Sequence, residues 1–519
     1  MGIDHFNTWL IENYKDAIIN TNNVKIYDFI YVDINHLLHN SIYEATNEKN
    51  FKKKLEYYLD HIFNKFVCTK VIVLAVDGSS PYSKLMIQRK RRVQMLKMAT
   101  SHQNNEIVDN NIVDNNIVDN NIDNNIDNNI DNNIVDENDD TDPEIIKISS
   151  MQLTPGTKFM DDLGIYLDKY VTKLKKRYNY LNMDVIIIPS NLPGEGELKV
   201  FNVLQHFSRM NKHFSHLVVG NDADLIVMAM ATNSTFNIDV MMHLQSDNYI
   251  ISIKKLCELY SHKIHDNKLA YLDTNTRSDF CLLSIMNGND YLPKLYYTNF
   301  DTLWDIYCVT KLANQSTLII NGFFNIKFLK DMMININNTV AKQFKSFNLI
   351  KFNPNKIKKY LEGLLWCTSM YTLGTCQDYS YMYEYNKGVS PIEIYYYLEL
   401  HNINKINIPI TQIKPLSTYS CMVLLLPKKM KCLLPEKLAN LVDTEFSKIG
   451  LYEEEECVTC NNFKHEKNIK QQEYNKNKND ISRKEIAKLN GKLLQHRECH
   501  NNISLDMINK VINIVDNIK

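Results

Sequence analysis

Seven acidic residues stand where short apolar runs end or helices begin: Asp33, Asp77, Glu195, Glu197, Asp222, Asp224 and Asp290. Four of them form two i, i+2 pairs, in Pro193-Gly194-Glu195-Gly196-Glu197 and in Gly220-Asn221-Asp222-Ala223-Asp224. Carboxylates brought into one space repel each other, and several pKa values rise unless cations neutralise them. Hard oxygen donors of this kind suit Mg²⁺ or Mn²⁺ and do not suit zinc. Two such ions a few Å apart would activate a water and stabilise the leaving oxygen of a phosphodiester. The glycines flanking Glu195 and Glu197 let the backbone turn tightly enough to aim both side chains into one space. A single Asp after a strand is more often a helix cap or turn residue. Seven such acids, two pairs among them, exceed what capping explains.

The elements that would carry these acids can be read from the runs before them. Residues 26–32 lead into Asp33, 71–76 into Asp77, 185–188 through a loop to Glu195 and Glu197, and 217–219 into Asp222 and Asp224. Runs this short and rich in β-branched residues, separated by longer amphipathic stretches, predict buried parallel strands with crossover helices. In open α/β sheets the binding crevice lies beyond the carboxyl ends of the strands, where these acids fall. The expected fold class is therefore α/β, a parallel-sheet core. Beyond about residue 300 amphipathic helical stretches dominate, for example 357–370, followed by a Tyr-rich stretch over 371–397. The expected organisation is a nuclease domain over 1–300, a helical second region over 301–450, and a charged tail over 451–519. Within the first, residues 103–145 repeat Asn-Asn-Ile-Val-Asp and then Asn-Asn-Ile-Asp. Such a tract favours turns and cannot build a core, so a solvated, disordered insertion is expected. It lacks the glycines of a Ca²⁺-binding repeat.

Basic residues supply a second set. Lys84, Gln88, Arg91 and Arg92 recur at helical spacing after the strand that ends at Asp77. Guanidinium groups bind phosphate through paired hydrogen bonds, so one side of this helix could read a terminal phosphate. The run Arg89-Lys90-Arg91-Arg92 also fits a solvated charged face or a localisation signal. In the tail, Cys457-Val458-Thr459-Cys460 and the later His496, Cys499 and His500 could hold a structural Zn²⁺. Two unlinked thiols are the simpler account.

Net charge is −1 and the pI is about 6.9, so nucleic-acid contact must come from local basic clusters and not from a global field. The 11 cysteines show no small-domain disulfide spacing, and no apolar run is long enough to span a bilayer. An intracellular setting follows as the expectation. The Asn, Ile, Lys and Tyr usage is that of an AT-rich coding genome, viral or otherwise.

In motif order the chain resembles the eukaryotic 5′→3′ exoribonucleases of cytoplasmic mRNA decay and nuclear RNA processing, the XRN family. The resemblance rests on Met1-Gly2-Ile3 with Phe6, Trp9 and Tyr14, and on Tyr31-Val32-Asp33-Ile34-Asn35 with His39. It continues through Ala75-Val76-Asp77-Gly78-Ser79-Ser80-Pro81, Thr154-Pro155-Gly156-Thr157, Ser190 to Glu197, Asp222 to Ile226, and Gly288 to Pro293. It covers about residues 1–295 apart from the insertion and weakens beyond. The resemblance implies a fold like that of the PIN and flap nucleases and an active site in which the seven acids hold two Mg²⁺ or Mn²⁺ ions. It further implies processive digestion of single-stranded RNA from a 5′-monophosphate to mononucleotides, in the cytoplasm ahead of the nucleus. It assigns Lys84, Gln88, Arg91 and Arg92 to the 5′-phosphate, and His39, with an aromatic from the later region, to the terminal nucleotide. Asn35 in the first motif joins the substrate-binding set.

The chain departs from the family in three places. The Asn/Asp insertion replaces a charged helical excursion, and from a length of 519 residues the long members' C-terminal domains are expected to be missing. The Trp-rich stretch after Gly374 is replaced by Tyr379, Tyr381, Tyr383 and Tyr385. Tyr379 or Tyr381 is the expected stacking partner, since any aromatic face can stack a base, and a Tyr-lined core or surface patch is the alternative. Two rival functions are a structure-specific, flap-type DNA nuclease and a catalytically dead RNA-binding protein. No helix-hairpin-helix element supports the first, and the presence of all seven acids opposes the second.

Overall fold

The computed structural model describes residues 6–19, 24–105, 149–178, 183–232, 237–244, 247–264, 274–341, 353–385, 387–453, 457–477, 480–497 and 503–518. The Asn/Asp tract from 106 to 148 lies outside them, as do Cys499 and His500. The chain forms two compact units. One comprises Met1–Lys84, Asn111–Pro155 and Phe159–Pro415, and the other Leu85–Asn110, Gly156–Lys158 and Leu416–Lys519.

The first unit is built on a seven-stranded sheet. Its strands are β1 (Ile18–Ile19), β2 (Lys25–Asp33), β3 (Phe66–Ala75), β4 (Asp184–Ile188), β5 (His216–Val219), β6 (Ile238–Leu244) and β7 (Asp247–Ser252). Their order is β1-β7-β6-β5-β2-β3-β4. Strands β4, β3, β2, β5 and β6 run parallel, and β7 and β1 close one edge antiparallel. The four runs read from the sequence coincide with β2, β3, β4 and β5. The edge formed by β6, β7 and β1 carries none of the seven acids and was not anticipated.

Alternation along the central strands explains the layering. Phe29 and Tyr31 of β2, Val73 and Ala75 of β3 and Val218 of β5 enter one core, while Ile30, Val32, Ile72, Leu74, Leu217 and Val219 enter another on the opposite face. A parallel sheet covered on both faces needs this near-continuous apolar content. After β2 the chain adds β3 and β4 on one side, then returns to add β5 and β6 on the other. The order therefore reverses between β2 and β5, and a crevice opens beyond their carboxyl ends.

The expected boundary at 300 is not a boundary. The helices Phe300–Asn314, Ile326–Ala341, Pro354–Leu373 and Pro391–Leu400 bury Trp304, Tyr307, Met332, Trp366 and Ile394 in the same core as Trp9 and Phe29. Helical periodicity shows that a face is apolar but not which apolar surface covers it. The tail is also more regular than its weak periodicity suggested. In the second unit Val458–Asn477 packs on Asp480–Arg497, and Leu505–Asp516 packs on Thr418–Leu425.

Candidate active site

Each acid is placed by a strand end or helix start. Asp33 closes β2, and its Oδ1 accepts the backbone N–H of Asn35 at 3.2 Å, where the helix Asn35–Tyr43 begins. Asp222 follows β5, and its Oδ1 accepts the N–H of Asp224 at 3.2 Å, where the helix Asp224–Ala231 begins. These are turn bonds made one residue before the caps Ile34 and Ala223, which themselves make no side-chain cap bond. Glu195 stands extended at the N-terminus of Gly196–Met210, with Glu197 in its first turn. The i, i+2 spacing therefore spans a helix N-terminus in both pairs, and the exposed N–H dipoles there favour negative charge. Asp290 sits in a turn after the helix Thr274–Met286. Gly288 takes φ +95° there, and the Asn289 side chain accepts the N–H groups of Tyr291 and Leu292 at 3.0 and 2.9 Å.

The seven converge. Asn35 joins the first two, since its Nδ2 donates to Asp33 Oδ1 at 2.5 Å and to Asp77 Oδ1 at 2.6 Å, while its Oδ1 accepts the Asp77 N–H at 3.0 Å. The Gly196 N–H donates to Asp77 Oδ1 at 2.6 Å, tying this pair to the Glu195 loop. A Cβ on Gly196 would stand 2.4 Å from Asp33 Oδ1 and 2.7 Å from Asn35 Nδ2, so only glycine lets the helix start approach this closely. Glu197, Asp222 and Asp224 present oxygens within 4.8 Å of one another. Lys84 Nζ bridges the remaining two, 2.8 Å from Glu195 Oε2 and 3.1 Å from Asp290 Oδ2.

The electrostatics show a site short of positive charge. Asp33 is pushed up to about 8 by burial first, then by Asp77, with the Asn35 N–H opposing. Burial and then Glu195 raise Asp77, and burial raises Asp222. Glu197 and Asp224 are raised well above the ordinary carboxylate value, by burial first and by Asp222 second. Burial would lower Lys84, but Glu195, Asp290 and Glu197 overcome it and hold the ammonium charged. Glu195, Glu197 and Asp224 are 3, 5 and 1% exposed, yet Glu195 Oε1, Glu197 Oε1 and Asp224 Oδ1 have no hydrogen-bond partner. Three buried, partnerless carboxylate oxygens are costly by themselves. A purely oxygen donor set with surplus negative charge fits a hard divalent cation such as Mg²⁺ or Mn²⁺.

The remaining expected site residues divide. Gln88, Arg91 and Arg92 lie in the second unit, on the helix Tyr82–Asn105 whose first turn carries Lys84. Their neighbour Arg89 is buried there, donating to the Leu424 and Leu451 carbonyls at 2.8 and 2.9 Å over the Tyr452 ring. His39 is exposed on Asn35–Tyr43. Asn35 has its whole amide engaged with the acids. Tyr381 is 7% exposed, its ring centroid 4.8 Å from that of Trp366 and its hydroxyl donating to the Lys359 carbonyl, so it is packed in the core. Tyr379 is half-buried, with its hydroxyl 3.3 Å from where a Cβ on Gly194 would stand, beside the Glu195 loop. In the tail, the Cys460 N–H donates to Cys457 Sγ at 3.4 Å.

Three residues at the site went unread in the sequence. Lys199 Nζ donates to the Val76 and Pro189 carbonyls at 2.7 and 3.0 Å, and burial lowers it to about 8. Tyr291 donates to Glu195 Oε2 at 2.7 Å, and Tyr371 to Asp224 Oδ2 at 2.7 Å. Tyr291 was visible beside Asp290, but adjacency carries no sign of a partner 96 residues away.

Part of the chain is similar to known proteins. The model of the family described as XRN 5′-3′ exonuclease N-terminus matches residues 1–242. 5′-3′ exoribonuclease 1 of Saccharomyces cerevisiae is 25% identical over 325 residues, 57% of this chain and 19% of that one. The Schizosaccharomyces pombe enzyme of the same name is 24% identical over 405 residues, 71% of this chain and 28% of that one. 5′-3′ exoribonuclease 2 of Gallus gallus is 26% identical over 267 residues, 45% and 26% of the two chains. This chain thus spans less than a third of the length of these relatives. Among solved structures, the catalytic core of Rad2 in complex with DNA substrate is 12% identical with a TM-score of 0.36, over 75% of this chain and 90% of that one. Residues 1–242 are thus similar to the N-terminal domain of the XRN 5′-3′ exonucleases, and the relatives above support the same family.

Proposed function

We propose that the protein is a 5′→3′ exoribonuclease that hydrolyses single-stranded RNA from a 5′-monophosphate end, releasing mononucleotides, and that it depends on two Mg²⁺ or Mn²⁺ ions. The observation that carries the reading is the convergence of Asp33, Asp77, Glu195, Glu197, Asp222, Asp224 and Asp290, with three buried oxygens left partnerless. Glu197, Asp222 and Asp224 would hold one cation, and the other acids would share the second. When bound, such cations supply charge neutralisation and polarise the scissile phosphodiester. The chain's own residues do the rest. Asn35 and the Gly196 N–H fix Asp33 and Asp77, and the helix N-termini beneath both i, i+2 pairs favour their ionised forms.

The 5′-end preference rests on Lys84, Gln88, Arg91 and Arg92, which fall at i, i+4, i+7 and i+8 on one helix. Lys84 is the proposed first contact of the terminal phosphate, because it is a charged cation already among the acids. His39 and Tyr379 are the proposed stacking partners of the terminal nucleotide. The proposed setting is intracellular, the cytoplasm ahead of the nucleus in line with turnover of mRNA. Free thiols at the described cysteines support a reducing compartment. Among the described residues no helix is long and apolar enough to cross a membrane. A structural Zn²⁺ at Cys457, Cys460, Cys499 and His500 belongs to the proposal and is checked by metal analysis of the purified chain.

The deciding experiment incubates the protein with Mg²⁺ and matched 3′-labelled RNAs bearing a 5′-monophosphate, 5′-triphosphate or 5′-hydroxyl, beside the equivalent DNA. An Asp222→Ala/Asp224→Ala variant is the control. Selective loss of the monophosphate RNA, abolished in the variant, is expected. Equal cutting of all ends, or cutting of DNA flaps, overturns the end preference, and tight RNA binding without cleavage overturns the hydrolase.

A further inference from the structure

Two buried phenols treat the acids alike. Tyr291 donates to Oε2 of Glu195 and leaves Oε1 partnerless, and Tyr371 donates to Oδ2 of Asp224 and leaves Oδ1 partnerless. Both phenols lie outside the matched residues 1–242, Tyr371 near the end of the helix Pro354–Leu373. Each ring is itself fixed. Asn289 Nδ2 donates to the Tyr371 hydroxyl at 3.2 Å, and the Tyr291 ring lies edge-on to Trp366, centroids 5.6 Å apart. A third phenol provides the contrast. Tyr307 donates to Oδ2 of buried Asp279 at 2.8 Å, but there the N–H groups of Leu318 and Ile319 satisfy both carboxylate oxygens. That carboxylate is closed, whereas Glu195 and Asp224 are each closed on one side only.

We propose that Tyr291 and Tyr371 are positioning residues that tie down one oxygen of Glu195 and of Asp224 and so turn the other, bare oxygen toward a divalent cation. The inference rests on reading the seven acids as a cation site and extends it into the helical region. A phenol held this way fixes the carboxylate's rotation and removes one competing orientation, as outer partners of metal ligands generally do. Each phenol donates its O–H to the carboxylate, and the Tyr371 hydroxyl also accepts from Asn289. Replacing either by Phe preserves the ring and its packing and deletes only the hydroxyl, which in Tyr371 also accepts from Asn289.

The test is Mn²⁺ binding to the full chain by calorimetry and electron paramagnetic resonance, for wild type, Tyr291→Phe, Tyr371→Phe and Tyr307→Phe. Each of the first two variants is expected to bind Mn²⁺ about 10–100-fold more weakly, the usual effect of losing such a partner. Tyr307→Phe, which loses an equally buried phenol–carboxylate bond, is expected to bind as wild type does. RNA turnover by the first two should recover as Mn²⁺ is raised, a recovery that damaged packing would not give. Two independent variants keep the test open if one fails to fold. Unchanged Mn²⁺ affinity in both, or equal loss in Tyr307→Phe, overturns the positioning role. Absence of Mn²⁺ binding by the wild type overturns the cation site itself, and the proposal with it.

Discussion

Replacing Lys84 by Met should make the metal-free protein depend on added Mg²⁺ for much of its stability. The ammonium lies 2.8 Å from Glu195 and 3.1 Å from Asp290, with side-chain exposures of 12, 4 and 8%. At about 3 Å and an effective dielectric of about 20, each pair is worth roughly 5 kcal/mol of attraction. Removing the ammonium also removes its own desolvation cost of several kcal/mol, so the net loss expected is about 3–5 kcal/mol. Against a typical stability of about 5–15 kcal/mol that is a large fraction. A cation at 100 times its dissociation constant returns about 2.7 kcal/mol, and the variant should gain more than wild type because no ammonium competes for Glu195 and Asp290. Urea unfolding of both proteins in EDTA and in Mg²⁺ reads the difference. The gap should be wide in EDTA and should shrink in Mg²⁺. A gap equal in the two conditions would mean that Lys84 acts through packing on the Tyr291 ring, 5.3 Å from its Nζ. No loss in EDTA would refute the counter-charge reasoning.

Three further outcomes follow. Gly196→Ala places a methyl 2.4 Å from Asp33 Oδ1, so it should cost about 1–3 kcal/mol of stability and lower turnover more than RNA binding, read from kcat and KM separately. In pH, Asp33 is raised from 3.8 to about 8, so the folded chain keeps a proton that the unfolded chain releases. Metal-free stability should then fall as pH rises from about 4 to about 8, and Mg²⁺ should flatten that slope; unfolding curves across pH that instead rise in EDTA would contradict it. The neighbours Arg89 and Arg91 should separate cleanly. Arg89→Ala loses two charged hydrogen bonds of about 1.5–3 kcal/mol each, which shows as lowered thermal stability of the second unit. Arg91→Ala should instead reduce the preference for monophosphate over hydroxyl ends in the RNA assay.

By itself the sequence marked which acids could gather at one site and which elements carry them. A short β-branched run ending in an acid is a local signal, because burial on both sheet faces demands it, and β2, β3, β4 and β5 appear where those runs lie. Helical spacing likewise located Pro354–Leu373, capped by Asn353 and ended by Gly374 at φ +66°. What only the tertiary structure decided is who meets whom. Lys84 with Glu195, Tyr291 with Glu195 and Tyr371 with Asp224 are 111, 96 and 147 residues apart. Periodicity reports that a side chain is buried, not what it is buried against. The same gap explains the tyrosines after Gly374. Tyr379 and Tyr381 share a composition and a spacing, yet one stands beside the Glu195 loop and the other seals the core against Trp366. It also explains the boundary at 300, where a change from strands to helices marked a change of element and not of core. Local pattern fixes the element, and long-range packing fixes the partner, because burial free energy is non-directional while hydrogen bonds and ion pairs need their particular atoms.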